Sequence, residues 1–411
     1  FFRSGYTSSG QRLSKEKMIQ RMDHYIGEMI RLIHEGWPNL LVAMDVVNEA
    51  INDNTGTDRT TDSEWYLTFG DNSYIMKAFE ITRKYTIQYG ETQMKLYYND
   101  YNTHNPNKAD GIVRICKPIY QAGLLDGIGM QEHDDISFPT SEAWIASYNK
   151  FDSVCNEMSV TELDVTTGSA NPSSQLLNTQ ANQYAMLFKC FVERSYKSGR
   201  GKIINVSKDG LNDQYTFKTN QSSSLWTSLN KCKPAFYAVV DVGIYYNKLD
   251  SLINYAKTLK EKDYTPSSWS LFQSILSSSI NNKQKNYSSS ISASSSLKDN
   301  YENLLNAINN LIQSTNNINN NTQLADYSLS QNYPNPFNPS TRIEYSIPKN
   351  TNISLKVYNT LGKEVAVIFD GFRVAGKYIV NFDGSNLPAG VYYYRLITDD
   401  YNITKKFVLL K

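Results

Sequence analysis

The sequence predicts an α/β fold built on a parallel sheet, followed by a small three-helix bundle and a C-terminal antiparallel β-domain. Up to about residue 245, five apolar runs alternate with amphipathic segments of helical periodicity. From 247 to 313 only helical spacing remains, and from about 326 short runs alternate apolar and polar residues between turn clusters. Repeating βα units favour a parallel sheet covered by helices, whereas short alternating strands favour a β-sandwich.

Strands and helices alternate strictly in the first region. The predicted strands are residues 40–47, 94–99, 127–131, 158–163 and 202–206. The predicted helices are residues 15–33, 74–89, 110–122, 141–148 and 174–196. Five units are too few to close an eight-stranded barrel, which takes about 250 residues. The pattern therefore leaves two alternatives: an open sheet, or a barrel that lacks roughly three strands at its N-terminal side.

Two smaller regions follow. In the second, apolar residues at helical spacing predict three short helices around Leu252, Trp269 and Leu304. Residues 316–321 are nearly all asparagine, which predicts a flexible linker over 314–325. In the third region, the predicted strands of the sandwich are residues 342–346, 353–358, 378–382 and 392–397.

Composition limits the classes of function. Lys and Arg (41) nearly balance Asp and Glu (40), so no strong field predicts nucleic acid or an anionic membrane as a partner. No run of about 18 apolar residues is present, and no transmembrane segment is expected. The chain opens at Phe1 with neither a start methionine nor a signal peptide, so we expect a segment upstream of it.

The four cysteines predict neither zinc nor redox chemistry, because no two of them have the C-x-x-C spacing and no paired histidines lie near them. We therefore expect no metal and no other cofactor. Disulfide pairs and free thiols both remain open.

Two acidic residues end predicted strands. Glu49 follows Asp45 to Asn48, and Glu162 lies in the run from Val160 to Asp164. Parallel barrels place their chemistry at the C-terminal ends of the strands. Because three βα units separate the two residues, they would face each other across the mouth of an eight-stranded ring. Opposed carboxylates are what cleavage of a glycosidic bond requires, although a single acidic strand end is more often a solvated residue or a helix cap.

Polar side chains end the intervening strands as well. Asn99 ends one, and Gln131 and His133 follow the next, with Asp164 available as a partner for the imidazole.

Four ordered motifs then resemble glycoside hydrolase family 10: DVVNEA (45–50), LYYNDYNT (96–103), DGIGMQEH (126–133) and VTELDV (160–165). The run KPAFYAV (233–239) after the eighth strand adds to this, and the opening FFRSGY resembles the segment after the family's third strand.

The resemblance covers residues 1–245 and implies the C-terminal part of a (β/α)8 barrel, with strands 4–8 present, that cleaves xylan with retention of configuration. By motif, Glu49 is implied as the acid/base and Glu162 as the nucleophile. Asn48 would bind the sugar 2-hydroxyl, His133 would contact the nucleophile, and Asp164 would hold the imidazole. Asn99 and Gln131 would line the same cleft.

Two positions depart from the family pattern. Asp209 stands where the family commonly has a tryptophan over the reactive sugar, and Met44 stands where it usually has an aromatic residue. The missing strands would also supply the Lys, Asn and His that hold the sugar on the non-reducing side.

The retaining mechanism assigns the two carboxylates different protonation states. A retaining pair lies about 5–5.5 Å apart. Glu162 must be ionised to attack, whereas Glu49 must begin protonated, and the negative charge of Glu162 favours that form. Once the glycosyl-enzyme forms, this charge disappears and Glu49 can act as the base.

The remaining regions resemble known modules. Residues 247–313 resemble the small helical module called FIVAR, through the runs around Leu252, Asp263 and Leu304; a carbohydrate contact and a plain spacer are both open for it. Residues 326–411 resemble the C-terminal sorting domain of the type IX secretion system, through LSQNYPNPFNP (329–339), VYNTL (357–361) and LPAGVYYY (387–394). This implies export across an outer membrane to the cell surface or medium, with the secretion machinery as a partner.

The sequence thus favours a secreted xylan endohydrolase. Two alternatives stay open: a related retaining β-glucanase or mannanase, and a catalytically silent polysaccharide-binding protein, for which Asp209 and the expected absence of three barrel strands are the motivation.

Overall fold

A computed structural model describes residues 10–218, 220–228, 231–284, 296–312 and 326–410. The chain divides into two compact units, the first ending at Val242 and the second beginning at Gly243. The opening FFRSGY and the Asn-rich linker at 314–325 lie outside the described residues.

A sheet of parallel strands forms the centre of the first unit, as predicted. Its strands are β1 (Ala43–Asn48), β2 (Lys95–Asp100), β3 (Gly127–Met130), β4 (His133–Asp135), β5 (Glu157–Thr166) and β6 (Ile203–Lys208). The order is β1-β2-β3-β5-β4, with β6 also paired to β5, and every pair is parallel. A short antiparallel pair follows, β7 (Trp226–Ser228) and β8 (Lys231–Cys232).

Helices connect the strands, and their N-termini are set by local polar side chains. The helices are α1 (Lys15–Gly36), α2 (Glu64–Phe69), α3 (Ser73–Gln88), α4 (Pro106–Gln121), α5 (Ser141–Phe151), α6 (Ser174–Glu193) and α7 (Pro234–Ala256). Ser14, Thr140 and Ser173 each accept a hydrogen bond from a backbone N–H of the first turn of the helix that follows. None of the helices among the described residues is long and apolar enough to cross a membrane.

The central strands are buried on both faces, whereas the outer strands are not. Leu96 of β2, Ile128 of β3 and Met158 of β5 are completely inaccessible to solvent. On the two outer strands, by contrast, half of the residues of β1 and two of the six residues of β6 are exposed.

All four cysteines are free thiols. Three of them are buried, Cys116, Cys155 and Cys190, and Cys232 is partly exposed.

The second unit contains two antiparallel sheets, β13-β10-β9 and β12-β11-β14-β15. Its strands are β9 (Ser328–Leu329), β10 (Ser340–Ile347), β11 (Thr351–Tyr358), β12 (Glu364–Arg373), β13 (Gly376–Asp383), β14 (Gly390–Thr398) and β15 (Asn402–Leu409). Alternate side chains from both sheets share one core, as the period-two pattern of β10 and β14 predicts. Strand β12 was not predicted.

Helices of the second unit pack against its β-domain. The later part of α7 and helix α9 (Leu297–Asn309) make these contacts, and α8 (Pro266–Gln284) packs on α9. The amide of Asn352 donates to the Tyr301 hydroxyl at 2.6 Å, and the rings of Tyr255 and Phe372 lie 5.2 Å apart. The helices before the linker and the sheets after it therefore form one compact unit.

A buried ion pair lies beneath the end of β2. Lys108 and Asp100 are both fully buried, and the ammonium group lies 2.8 Å from the Asp100 carboxylate. Lys108 also pairs with Asp53 and lies over the ring of Tyr101. Removing one partner of such a pair leaves the other charge buried and uncompensated.

We expect Lys108→Met to lower the free energy of unfolding by about 3–5 kcal/mol, because Asp100 then stays buried without a cation. Urea denaturation of the full-length protein measures this. Lys117→Met, at an exposed position of the same helix, should change stability by less than about 0.5 kcal/mol. Equal losses for the two variants would contradict the assignment.

Candidate active site

Glu49 follows β1 in a left-handed backbone conformation. Its φ angle is 57°, and its N–H donates to the carbonyl oxygen of Asn99 at 2.9 Å, which extends the β1–β2 pairing by one residue. The next N–H, that of Ala50, donates to the Tyr98 hydroxyl at 3.0 Å. A positive φ is uncommon for residues other than glycine and is concentrated at functional sites. Here it orients the Glu49 side chain within the group described next.

Two amide side chains bridge the acidic residues. Gln131 Nε2 donates to Glu49 Oε1 at 3.0 Å and to Asn48 Oδ1 at 3.2 Å. Asn99 Nδ2 donates to Asn48 Oδ1 at 3.0 Å and to Glu162 Oε1 at 3.3 Å. A continuous path of hydrogen bonds therefore joins Glu49 to Glu162.

The third part of the site is a line of Glu162, His133 and Asp164. His133 Nε2 lies 3.3 Å from Glu162 Oε2, and its Nδ1 lies 3.3 Å from Asp164 Oδ1. Exposure decreases along the line: the side chain of Glu162 is 39% exposed, that of His133 14% and that of Asp164 0%. Glu162 is the member of this line that a ligand can reach.

The structure thus brings all seven predicted site residues into one network. They are Asn48, Glu49, Asn99, Gln131, His133, Glu162 and Asp164. The first four lie at or just after the carboxyl ends of β1, β2 and β3, His133 begins β4, and Glu162 and Asp164 lie in β5 beyond its pairing with β3. The parallel order of the sheet collects them at one edge.

Gly129 makes room for this network. A Cβ atom at this position would lie 2.3 Å from the side-chain oxygen of Asn99 and 3.1 Å from the side chain of Thr161. Thr161 in turn donates from its hydroxyl to that Asn99 oxygen at 2.8 Å, which fixes the amide so that its NH2 group faces the carboxylate. A glycine is therefore needed in β3 because the Asn99 side chain crosses it.

Several residues of the site were not predicted from the sequence. Lys218 Nζ lies 2.7 Å from Asp164 Oδ1, and the ring of Phe217 meets that of His133 edge-on with centroids 5.1 Å apart. Both lie in the irregular segment between β6 and β7, where no periodicity marks a residue. Lys208 ends β6, and burial lowers its pKa to about 8 despite the opposing charges of Asp164 and Asp209.

Asp209, where the sequence resemblance would place tryptophan, is held mainly by its backbone. Its N–H donates to the Leu163 carbonyl at 3.0 Å, and Lys208 donates to its carbonyl. The Oδ2 atom is buried without a hydrogen-bond partner among the described residues. The exposed aromatic ring nearest to His133 in this segment is instead Phe217, which is 65% exposed.

The arrangement can carry out acid–base and nucleophilic chemistry. It contains two carboxylates with different surroundings, one held by amides and the other by an amide and an imidazole. Such a pair allows one carboxyl group to donate a proton while the other stays ionised.

Family models match two parts of the chain. The model described as "Glycosyl hydrolase family 10" matches residues 4–242, and the one described as "Secretion system C-terminal sorting domain" matches residues 331–410. The second match identifies the C-terminal domain as a sorting domain, so the protein is exported to the cell surface or secreted.

Curated relatives and solved structures agree with the first match. Endo-1,4-beta-xylanase Y of Acetivibrio thermocellus is 35% identical over 258 residues, which is 59% of this chain and 23% of that protein. Endo-1,4-beta-xylanase A of Halalkalibacterium halodurans is 30% identical over 250 residues, 56% of this chain and 59% of that protein. The CBM22-1 and GH10 modules of a Clostridium thermocellum N-terminal endo-1,4-beta-D-xylanase 10B, complexed with xylohexaose, give a TM-score of 0.53 at 34% identity, covering 59% of this chain and 48% of that one. The chain spans less than two thirds of the length of each of these proteins.

The charge state of His133 gives a pH-dependent prediction. Burial lowers its pKa, but the hydrogen bond and charge of Asp164 and the charge of Glu162 outweigh burial and the charge of Lys218, so the pKa is raised overall. Because the folded state holds the proton more tightly, the stabilising contribution of the charged ring is complete below the unfolded pKa. It is lost as the pH rises through the folded pKa. We therefore expect His133→Gln to destabilise the protein more at pH 5 than at pH 8.

Urea denaturation at the two pH values measures the difference, and NMR titration of the ring protons gives the folded pKa directly. His24→Gln, at an exposed position of α1, controls for the loss of an imidazole. A folded pKa of His133 below its ordinary value would contradict the prediction.

Proposed function

The chain belongs to glycosyl hydrolase family 10, and from that membership and the geometry of its site we propose that it hydrolyses internal β-1,4-xylosidic bonds of xylan by a retaining double displacement. The observation that carries the proposal is the hydrogen-bonded path from Glu49 to Glu162 at the carboxyl ends of the strands. The names of its relatives, endo-1,4-beta-xylanases, support xylan as the substrate class.

Glu49 is assigned the role of acid/base. It begins protonated and gives its proton to the leaving-group oxygen as the glycosidic bond breaks. After the leaving group departs, the same carboxylate accepts a proton from the water that attacks the glycosyl-enzyme. Gln131 and Asn48 hold it in position by their amide groups.

Glu162 is assigned the role of nucleophile. Its Oε1 accepts from Asn99, its Oε2 faces His133 Nε2, and the exposure of its side chain leaves it open to a sugar. Asp164 orients the imidazole, and Lys218 compensates the buried charge of Asp164. In the proposed role, its carboxylate attacks the anomeric carbon of the sugar.

The fold proposal is that the parallel sheet supplies strands 4–8 of a (β/α)8 barrel, as β1, β2, β3, β5 and β6. The exposed outer strands support this: Ile204 of β6 is 46% exposed, and Val42, next to β1, is 74% exposed. Side chains of this kind are normally covered by a neighbouring strand or helix. In the family barrel, three further strands would cover both edges.

The substrate class is tested by incubating the full-length protein with xylan, mannan and cellulose and measuring reducing ends. We expect xylan to be hydrolysed at least tenfold faster than the other two. NMR of the first product formed should show the β-anomer, because two displacements restore the configuration. Binding to insoluble xylan without release of reducing ends would instead indicate a polysaccharide-binding protein.

Substituting each carboxylate in turn distinguishes the proposed roles of Glu49 and Glu162. Glu162→Ala should abolish activity on every substrate, whereas Glu49→Ala should slow xylan turnover by about 10²–10⁴-fold, the usual contribution of general acid–base catalysis. With an aryl xyloside whose leaving group needs no proton, Glu49→Ala should still form the glycosyl-enzyme, visible as a burst of released phenol. Glu80→Ala, on the exposed surface of α3, is the control, and normal xylan turnover by Glu49→Ala would refute the assignment.

Phe217 is proposed as the apolar surface that covers the reactive sugar in place of the tryptophan. Its ring is largely exposed and adjoins His133. An aromatic face against a sugar contributes on the order of 1 kcal/mol. Phe217→Ala should therefore lower kcat/KM on xylan about five- to tenfold, while Phe217→Trp should keep it. Steady-state kinetics of the two variants decide this, and an unchanged kcat/KM in Phe217→Ala would exclude the role.

A further inference from the structure

A second cluster of chemically active side chains lies behind the strand that carries His133. Its members are His104, Glu132 and Asp134, all at most 5% exposed. One nitrogen or oxygen atom of each lies within 4.8 Å of the others. His104 Nδ1 is 3.4 Å from Asp134 Oδ1 and 3.7 Å from Glu132 Oε2. None of the three takes part in the network around Glu49 and Glu162 described above.

Among the carboxylate oxygens of the cluster, only Glu132 Oε1 has hydrogen-bond partners in the described part of the chain. Glu132 Oε1 accepts from Thr103 Oγ1 at 3.0 Å and from Trp144 Nε1 at 3.1 Å. In contrast, Glu132 Oε2, both carboxylate oxygens of Asp134 and His104 Nδ1 are buried and have no hydrogen-bond partner among the described residues. Three of these atoms, His104 Nδ1, Glu132 Oε2 and Asp134 Oδ1, lie close together. Buried carboxylates without hydrogen-bond partners cost several kcal/mol unless a positive charge joins them.

Two occupants supply that charge: a proton or a metal cation. Burial, and then the charge of Glu132, raise the pKa of Asp134 well above its ordinary value, so a proton is the competing occupant. A shared proton, however, joins only the two carboxylates. His104 Nδ1 lies 3.4 Å from Asp134 Oδ1 without forming a hydrogen bond to it, so the imidazole nitrogen stays unpaired. A cation satisfies a nitrogen and two carboxylates together.

The spacing of the cluster fits a cation. Zinc binds imidazole nitrogen and carboxylate oxygen at about 2.0–2.2 Å, so two ligands at a tetrahedral angle lie about 3.3–3.6 Å apart. The distances of 3.4 and 3.7 Å from His104 Nδ1 are close to this. Two carboxylates and a neutral imidazole also cancel the charge of a divalent ion, which keeps the buried site neutral. We propose that His104, Glu132 and Asp134 bind a divalent first-row cation, with Zn²⁺ favoured by the mixed nitrogen and oxygen ligands.

Thr103 and Trp144 complete the site as outer partners. Their donation to Glu132 Oε1 leaves Oε2 directed at the cation and fixes the orientation of the carboxylate. The sequence expectation of no metal was drawn from cysteine spacing, and this cluster contains no cysteine.

The cation would also hold the segment between two residues of the active site. Glu132 lies between Gln131 and His133, has a φ angle of 55°, and accepts from the Asp164 N–H through its carbonyl at 3.1 Å. A metal bond to its side chain would stabilise this left-handed conformation. The cation is thus assigned a positioning role for Gln131 and His133.

The test uses the full-length protein, stripped with EDTA, dialysed and titrated with Zn²⁺. We expect one equivalent of tightly bound zinc by elemental analysis and a rise in Tm on its addition. Asp134→Asn should bind zinc at least about a hundredfold more weakly. Asparagine has the shape of protonated aspartate, so the pocket can still close around it. Asp135→Asn, at the exposed neighbouring position, is the matched control and should bind as the unaltered protein does.

Equal zinc affinity in the unaltered protein and Asp134→Asn would overturn the proposal, as would the absence of zinc binding in both. If Asp134→Asn does not fold, NMR of the unaltered protein decides the question. The ring signals of His104 must shift on addition of one equivalent of Zn²⁺, and unshifted signals at saturation would reject the site.

Discussion

The hydroxyl group of Tyr98 is the contact on which the geometry of the active site depends. It accepts the N–H of Ala50 at 3.0 Å and donates to Asp100, whose charge Lys108 balances in the interior. A strand end would normally continue extended into a loop, and this contact turns the chain directly after Glu49 instead. The buried ion pair thus supports a charged network that anchors the backbone next to Glu49. Burial nevertheless raises the pKa of Asp100, so the partners of its carboxylate offset only part of the cost of desolvation.

The same design recurs two strands further along the sheet. Glu132 follows β3 with a φ angle of 55°, close to the 57° of Glu49 after β1. There too a buried carboxylate with aromatic and hydroxyl donors lies behind the turn. The two turns differ in where the side chain goes. The Glu49 carboxylate joins the network with Gln131, whereas the Glu132 carboxylate lies in the buried cluster with His104. Buried charged groups outside the network around Glu49 and Glu162 therefore support both turns.

Much of this could be predicted from the sequence, because the central strands are continuous apolar runs whose ends carry the functional residues. Five of the six strands of the parallel sheet were identified in this way, whereas the roles expected for the seven residues of the network rested on the resemblance to glycoside hydrolase family 10. Phe217 and Lys218 were not, since they lie in an irregular segment where neither periodicity nor a motif marks them. The cluster around Asp134 was also hidden, because only strand β4 reveals that Asp134 and His133 point in opposite directions. Strand β12 was missed for a simpler reason: its many half-buried residues give no clean alternation.

The packing in the second unit bears on how the protein leaves the secretion machinery. Tyr301 of α9 bonds to Asn352 of β11, and Asn309 bonds to Asn350, across the linker that joins the helices to the sorting domain. Lys248 of α7 pairs with Asp399 in the same way. A single proteolytic cut within residues 313–325 would therefore sever the chain while these contacts still held the pieces together. Release of the part of the chain before the cut would then require dissociation as well as cleavage.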